Sequence, residues 1–251
     1  MLKKEFCVWI LLVLSTVILL SSAAHYGPGS RPLFGYPAIP TLLSDTQIAT
    51  NFSIIALPDT QFYSESYPDI FDNQTQWIAD NARSMNIVFV THEGDIVNDC
   101  SSLSEWNNAN DSMSRLDVGN VSYGVLPGNH DGSPGNVANY NTYFNFSRFS
   151  GRSWYGGAYQ NDNSNNFELF RGGQDDYLIF HFQYQPSDQV LAWANSTLQA
   201  FPNRRVIVTT HSYLNVDGTR TDIGQRIWDS LIAPHADRIF LVLCGHNHAE
   251  A

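Results

Sequence analysis

Six side chains of types that bind metal ions are spread over most of the 251-residue sequence. Carboxylate and amide oxygens combined with imidazole nitrogens suit Mn, Fe, Zn, Ni or Mg, and no cysteine is needed as a ligand. The residue types therefore indicate a metal site. The six candidate ligands are Asp59, Asp95, Asn129, His211, His246 and His248.

Each candidate follows a short apolar run that predicts a β-strand. Several of these runs are continuously apolar, as expected of strands buried on both faces. If the strands are parallel neighbours, the polar clusters after five of them converge, because sites in open α/β sheets form beyond the carboxyl ends of the strands. The predicted strands are Ser53–Leu57, Ile87–Thr91, Tyr123–Leu126, Tyr177–Phe182, Val206–Thr210 and Ile239–Leu243.

Glycine precedes three of the ligand candidates, at Gly94, Gly128 and Gly245. We expect a sharp turn at each glycine, which would free the following side chain to point at a metal.

Amphipathic segments between the strands predict helices, and this alternation predicts an α/β fold with a layered core. Ser102 and Glu105 have the spacing of a capping box. Residues 147–173 are rich in Gly, Ser, Asn and aromatic residues and predict a long irregular insertion. The predicted helices are Gln74–Met85, Leu103–Leu116, Asp188–Ala200 and Ile223–Ile232.

The N-terminal region has the features of an export signal. Lys3 and Lys4 precede the apolar run Phe6–Leu20, and small residues predict cleavage before His25. The alternative is an uncleaved anchor, but a membrane span needs about 20 residues. We therefore predict a signal peptide over residues 1–24, a Pro/Gly-rich lead-in over 25–50 and one domain over 51–251, secreted or extracytoplasmic, with no stable membrane insertion after cleavage.

The net charge of −11 argues against a nucleic-acid duplex as a partner, because such partners are bound through many Lys and Arg contacts. It leaves a small phosphorylated substrate open, because bound metal ions can reverse the local field. Cys100 and Cys244 could pair in an exported protein, and the sequence leaves this open. It does not indicate an oligomeric state.

The ordered clusters resemble the motifs of the calcineurin-like metallophosphoesterases. The motifs of that family are Asp-x-His, Gly-Asp, Gly-Asn-His-Asp/Glu, His and Gly-His-x-His. The resemblance implies a four-layer α/β/β/α sandwich with its metal site at the C-terminal ends of the strands. The corresponding segments are Asp59-Thr60-Gln61, Gly94-Asp95, Gly128-Asn129-His130-Asp131, His211 and Gly245-His246-Asn247-His248.

The resemblance also implies two metal ions that share Asp95 as a bridging ligand. One ion would be held by Asp59, Asp95 and His248, and the other by Asp95, Asn129, His211 and His246. A hydroxide bridging the ions would hydrolyse phosphate mono- or diesters. His130 would be catalytic, stabilising the phosphoryl oxygens or protonating the leaving alcohol.

The sequence departs from the family pattern in three places. Gln61 replaces the first histidine, and its amide would be a weak or altered ligand. Asn98 stands where the purple acid phosphatase branch has a tyrosine ligand, so a tyrosinate–iron site is not expected. The chain ends at Ala251, three residues after His248, and we expect a domain truncated at its C-terminus.

Five further residues are predicted to support the site. Asp131 and His92 flank ligand candidates and could orient a ligand or, for Asp131, the His130 imidazole. The alternative for His92, and the one the sequence favours, is a histidine that is simply packed and hydrogen-bonded. Arg148, Arg152 and Tyr155 are predicted to contact substrate, because arginine can clamp a phosphate with paired hydrogen bonds.

Two other functions stay open. Gln61 and the early end of the chain are compatible with a non-catalytic metal-binding surface module on the same scaffold, although such a module would not need His130. The metal-ligand types also suit hydrolysis of a non-phosphate ester or an amide.

Overall fold

The structure, a computed structural model, describes residues 51–247. The predicted signal peptide, the lead-in over residues 25–50 and the ligand candidate His248 lie outside the described residues. Within residues 51–247, no helix has the length and apolar character needed to cross a membrane. Cys100 and Cys244 are both free thiols.

The described part of the chain contains eight strands in two sheets. The first sheet is parallel, with the order β1-β2-β3, and consists of β1 (Ser53–Leu57), β2 (Ile87–His92) and β3 (Tyr123–Val125). The second has the order β4-β5-β6-β7-β8, antiparallel from β4 to β6 and parallel from β6 to β8. Its strands are β4 (Tyr155–Ala158), β5 (Asn165–Gly172), β6 (Asp175–Phe182), β7 (Arg205–Thr210) and β8 (Ile239–Leu243).

Seven α-helices connect the described strands. They are α1 (Gln61–Ser66), α2 (Pro68–Asn81), α3 (Leu103–Val118), α4 (Ala138–Tyr143), α5 (Phe146–Phe149), α6 (Asp188–Ala200) and α7 (Asp222–Ile227). Helix α7 continues into a π-helical turn at Trp228–Ile232 and a 3-10 turn at Ala233–His235.

Three apolar cores order these elements into the four predicted α/β/β/α layers. The first core packs the β1–β3 sheet against α2 and α3, and the second packs the other sheet against α6 and α7. The third core lies between the two sheets, where the ring of Phe89 on β2 stacks on Phe170 of β5 with 4.9 Å between ring centroids. The sheets therefore pack face to face through large apolar side chains.

The predicted strands and helices agree with the structure where the sequence has a regular local pattern of apolar and polar residues. Ser53–Leu57, Ile239–Leu243 and Asp188–Ala200 have the predicted bounds. The helix predicted at Gln74–Met85 instead begins at Pro68, because the fixed φ of proline suits the first position of a helix. The helix predicted at Ile223–Ile232 is α-helical only to Ile227.

The irregular insertion predicted over residues 147–173 is wrong, because this segment contains β4 and all of β5. Strand β5 buries polar residues next to aromatic ones, so its sequence shows no simple alternation. Asn166, for example, is buried, and its Nδ2 donates to the Val125 carbonyl oxygen at 2.9 Å. Hydrogen bonds to residues distant in sequence thus allow this strand to bury polar side chains.

Candidate active site

The predicted ligands among the described residues meet where β1, β2, β3, β7 and β8 end, so the site spans both sheets rather than one. Three of them take backbone conformations that residues other than glycine rarely adopt. The φ angles are +50° at Asp59, +50° at Asp95 and +71° at His246. Such conformations cost about 1–3 kcal/mol each and cluster at functional sites. Local strain thus turns these side chains from the strand ends into a common space.

Asp95 lies at the centre of the described part of the site. Its Oδ1 accepts a hydrogen bond from the His130 backbone N–H at 2.9 Å. Its Oδ2 lies 3.1 Å from His211 Nε2 and 3.5 Å from the donating Nε2 of Gln61. Both carboxylate oxygens therefore face other predicted site residues, as the bridging role requires.

His211 is held in the tautomer that a metal ligand needs. Its Nδ1 donates to the Glu93 carbonyl oxygen at 2.9 Å, which leaves Nε2 with a lone pair in the neutral ring. Nε2 lies 3.0 Å from Asn129 Oδ1 and 3.1 Å from Asp95 Oδ2. Burial lowers the pKa of His211, but the hydrogen bond and charge of Asp95 outweigh it, and the net shift is upward. The site thus favours positive charge at Nε2, where a cation can replace the proton.

These contacts fit a metal ion. Separations near 3 Å are those expected between adjacent ligands about 2.1 Å from one ion. Ligand atoms of Asp95, His211 and His246 lie within 4.8 Å of one another. The His211 and His246 rings are 4.9 Å apart between centroids. The structure therefore brings together the four residues predicted for one ion, with Asn129 as the fourth.

The residues predicted for the other ion are described in part. Asp59 Oδ1 accepts from the His246 N–H at 3.0 Å, which ties the β1 end to the β8 end. Gln61 is buried, and its Oε1 has no hydrogen-bond partner among the described residues. An orphaned buried amide oxygen beside Asp95 fits the predicted role as an altered ligand, because a cation would satisfy it.

Two of the three glycines before the ligands serve a purpose that differs from the predicted one. Only Gly94 has a positive φ, +91°. A Cβ at Gly128 would lie 2.2 Å from Asp95 Oδ1, and one at Gly245 would lie 2.3 Å from Asp59 Oδ2. Gly128 and Gly245 are therefore needed for close approach to the carboxylates rather than for a sharp turn.

Replacing Gly128 with alanine should displace Asp95, because the new Cβ would also lie 2.5 Å from the Asp95 backbone N. We expect kcat/KM to fall about 100-fold, the cost of displacing a reacting group by about 1 Å. The control is Gly135→Ala, where the nearest heavy atom would be 3.8 Å from the Cβ. Equal activity of the two variants would contradict the close packing described for Gly128.

His130 is positioned by backbone groups. Its Nδ1 lies 2.8 Å from the Asn98 carbonyl oxygen, and its N–H donates to Asp95. The Asn98 N–H in turn donates to Glu105 Oε2 at 2.7 Å. The Glu105 carboxylate therefore binds the loop that contains Asn98. The Ser102 side chain caps the helix by accepting a hydrogen bond from the Glu105 N–H, as predicted.

Asp131 does not orient the His130 imidazole as predicted. Its carboxylate accepts three backbone hydrogen bonds, at 3.0 Å from Ile96, 2.9 Å from Val97 and 2.8 Å from Gly128. Burial, and then the charge of Asp95, raise the pKa of Asp131 to about 7. Asp131 therefore joins the loops after β2 and β3, and positions the ligands through the backbone.

His92 is buried and hydrogen-bonded beside two ligand candidates. Its Nδ1 accepts from the Gly94 N–H at 3.2 Å, so Nε2 carries the proton and donates to Thr60 Oγ1 at 2.9 Å. Burial lowers the pKa of His92 to about 3. This neutral histidine connects Gly94 and Thr60, which are neighbours of two ligand candidates.

Arg148, Arg152 and Tyr155 have partners other than the predicted site residues, and the Tyr155 hydroxyl donates to Asn163 Oδ1 at 2.6 Å. Both arginines pair with Asp117, at 2.9 and 3.0 Å, and the Arg148 Nε donates to the hydroxyl of Tyr123 at 2.9 Å. Tyr123 is the first residue of β3, whereas the metal ligands follow the strand ends. These arginines thus form part of a structural ion-pair network, and the prediction that they contact substrate is wrong.

The sequence analysis did not identify two residues that contribute to the site. Tyr184 follows β6, and its ring lies 5.2 Å from that of His246 and 5.8 Å from that of His211. Glu93 supplies the carbonyl oxygen that orients His211, and burial raises the pKa of its side chain to about 8. The position of Tyr184 just beyond a strand end was the signal that could have identified it.

An α/β/β/α sandwich with carboxylate, amide and imidazole groups at its strand ends defines a metal-dependent hydrolase. The family model of the calcineurin-like phosphoesterases matches residues 41–250, and the chain belongs to that family. Membership confirms the predicted class of the domain, a metal-dependent phosphoric ester hydrolase. Two bound metal ions are consistent with this family.

Comparisons with individual proteins add one relative in sequence and two solved structures. Over 200 residues the chain is 40% identical to the uncharacterized protein YvnB of Bacillus subtilis (strain 168), covering 79% of this chain and 15% of that protein. This chain therefore spans about 15% of the length of that curated relative.

The crystal structure of TT1561 of Thermus thermophilus has a TM-score of 0.51 at 12% identity, covering 78% of this chain and 82% of that chain. At this identity the likeness shows the fold alone. A dimetal phosphatase from Danio rerio has a TM-score of 0.46 at 15% identity, covering 77% of this chain and 80% of that chain.

Proposed function

We propose that this chain hydrolyses phosphate mono- or diesters of small molecules with two bound metal ions, outside the cell. One observation supports hydrolysis best. In a member of a phosphoesterase family, His211 Nε2 lies about 3 Å from both Asn129 Oδ1 and Asp95 Oδ2, so that these atoms can bind one metal ion. Export rests on the signal peptide predicted over residues 1–24.

The chain's own residues divide into ligands and groups that act on substrate. Asp95, Asn129, His211 and His246 would hold one ion, and Asp59, Asp95, His248 and the Gln61 amide oxygen the other. When bound, the two ions would supply Lewis acidity and lower the pKa of a water molecule between them. Mn, Fe, Zn, Ni and Mg all suit this set of ligands.

His130 is the proposed proton donor. Because Nδ1 faces the Asn98 carbonyl oxygen, proton exchange with substrate is left to Nε2. From Nε2, His130 can donate to a phosphoryl oxygen or to the oxygen of the leaving alcohol. Asp95 assists by accepting the His130 N–H, which fixes the backbone that carries the imidazole.

Metal removal and restoration test the proposal. We expect about two ions per chain by elemental analysis, loss of aryl phosphate hydrolysis after chelation, and recovery with at least one of the five metals. One ion and no turnover with any metal would instead support a non-catalytic metal-binding module, with Gln61 as the cause. Turnover of carboxylic esters but not phosphate esters would contradict phosphate as the substrate class.

A further inference from the structure

A cleft of about 440 Å³ lies directly beside the metal-site residue Asp59. Its other lining residues belong to α1 or to the residue that follows this helix. They are Phe62, Tyr63, Glu65, Ser66 and Tyr67. Because Asp59 is both a proposed ligand and part of the cleft wall, a group attached to a phosphate at the metal site can extend into this cleft.

The cleft wall is aromatic and exposed. Phe62 and Tyr67 are 55% and 58% exposed, respectively, although aromatic rings bury a large apolar area when they are covered. Tyr63, the third aromatic residue, packs partly against the core beneath α1. Apolar walls with a few polar groups are typical of small-molecule sites.

Helix α1 holds these rings on a fixed support. Its buried Ser64 donates from Oγ to the Ile96 carbonyl oxygen at 2.6 Å. The Ser64 carbonyl oxygen accepts from Asn108 Nδ2 of α3 at 2.9 Å. The helix is therefore anchored to the loop after β2 and to α3, so the backbone that carries the aromatic wall is in place before substrate binds, which favours affinity.

The charge of the cleft restricts what can occupy it. Glu65 lines the cleft, and its Oε1 accepts from Asn98 Nδ2 at 2.9 Å. The six lining residues include two carboxylates and no Lys, Arg or His. Away from the metal ions, this surface would repel a second phosphate or a carboxylate on the substrate.

We propose that this cleft binds an aromatic leaving group that carries no negative charge of its own, so that the preferred substrates are aryl-type phosphate esters. The proposal rests on the proposed function, because it concerns the part of the same substrate that the metal ions do not hold. It places specificity on α1 instead of residues 147–173, where Arg148 and Arg152 are paired with Asp117.

The test compares Phe62→Ala and Tyr67→Ala with the wild-type chain on 4-nitrophenyl phosphate and glycerol phosphate. Each variant should lose about 3- to 10-fold in kcat/KM on the aryl ester, mainly through KM, and less than about 2-fold on glycerol phosphate. Trp77→Ala is the matched control, because Trp77 is an exposed aromatic residue on α2 that does not line the cleft. It should change neither value.

Calorimetry of non-hydrolysable phosphonates gives a readout that does not need turnover. The metal-loaded wild-type chain should bind benzyl phosphonate about 3- to 10-fold more tightly than methyl phosphonate, and Phe62→Ala and Tyr67→Ala should reduce this preference. Glu65→Gln should increase the affinity for 4-carboxybenzyl phosphonate and leave that for benzyl phosphonate unchanged.

The outcomes separate this proposal from the proposed function. Equal effects of Phe62→Ala on aryl and alkyl esters, with normal wild-type turnover, would overturn the cleft proposal alone. Absence of turnover with retained discrimination between benzyl and methyl phosphonate would overturn the proposed hydrolysis and support the cleft. No discrimination between the phosphonates would overturn the cleft proposal whatever the turnover.

Discussion

Replacing Asp95 with alanine is expected to lower kcat/KM for phosphate-ester hydrolysis by at least about 1000-fold. Asp95 contacts His211 at 3.1 Å through Oδ2 and the His130 backbone at 2.9 Å through Oδ1, and it is the one ligand proposed for both ions. Metal ions stabilise a phosphoryl transition state by several kcal/mol, and about 4 kcal/mol corresponds to 1000-fold. The same variant should lose metal in elemental analysis.

His130→Ala is the contrasting variant. We expect it to lower kcat about 100- to 1000-fold, as removal of a proton donor or of a group that stabilises the transition state does. It should keep the metal content of the wild-type chain, because His130 is not a proposed ligand. Thermal melting should show that both variants remain folded. Full activity of a folded Asp95→Ala variant would place the active site elsewhere.

The second large effect is expected at a buried polar chain between the two sheets. His181 of β6 faces Thr91 Oγ1 at 2.9 Å through Nε2 and Glu168 Oε2 of β5 at 2.7 Å through Nδ1. All three residues are buried. A Cβ at Gly124 of β3 would lie 2.3 Å from His181 Cε1, so the ring packs directly on the first sheet. Few alternative partners are within reach if one member is removed.

Replacing His181 with phenylalanine should therefore lower the free energy of unfolding by about 3–5 kcal/mol, because Glu168 would stay buried without its partner. For a domain of this size, the melting temperature should fall by on the order of 10 °C. The double variant His181→Phe/Glu168→Leu should be more stable than the single variant, since no charge is then buried. A single variant as stable as wild type would show that the pair contributes little.

The pH dependence provides an independent check on the same pair. Burial raises the pKa of Glu168, and the charge of His181 opposes this. Without His181, the pKa in the folded state should rise further above the unfolded value. The folded state then binds a proton that the unfolded state releases, so stability falls as pH rises from about 4. Relative to wild type, the loss in His181→Phe should be smallest in acid and largest above neutral pH.

Much of the site was accessible from the sequence because its signals are local. An apolar run followed by Asp, Asn or His identifies a strand end with a metal-ligand type, and the structure places Asp59, Asp95, Asn129, His211 and His246 near one another. These inferences needed only residue type, order and the tendency of sites to form beyond strand ends.

The errors arose where a side chain's partner is distant in sequence. Arg148 was predicted to contact phosphate, but its charge is paired with Asp117, 31 residues earlier. Asp131 was expected to orient its neighbour His130, yet it binds the N–H groups of Ile96 and Val97 across the site. No local pattern specifies which charged or polar group will meet a given side chain.

By itself, the sequence indicated which residues are candidate metal ligands, where most strands end, and which family the motifs resemble. Only the tertiary structure decided that the strands divide into two sheets, that β5 buries polar residues such as Glu168, and that α1 forms an aromatic wall beside Asp59. Strand and helix tendencies depend on near neighbours, and can be read from residue type and periodicity. Sheet pairing, burial of polar groups and cleft formation depend on contacts between distant segments, which exist only once the chain has folded.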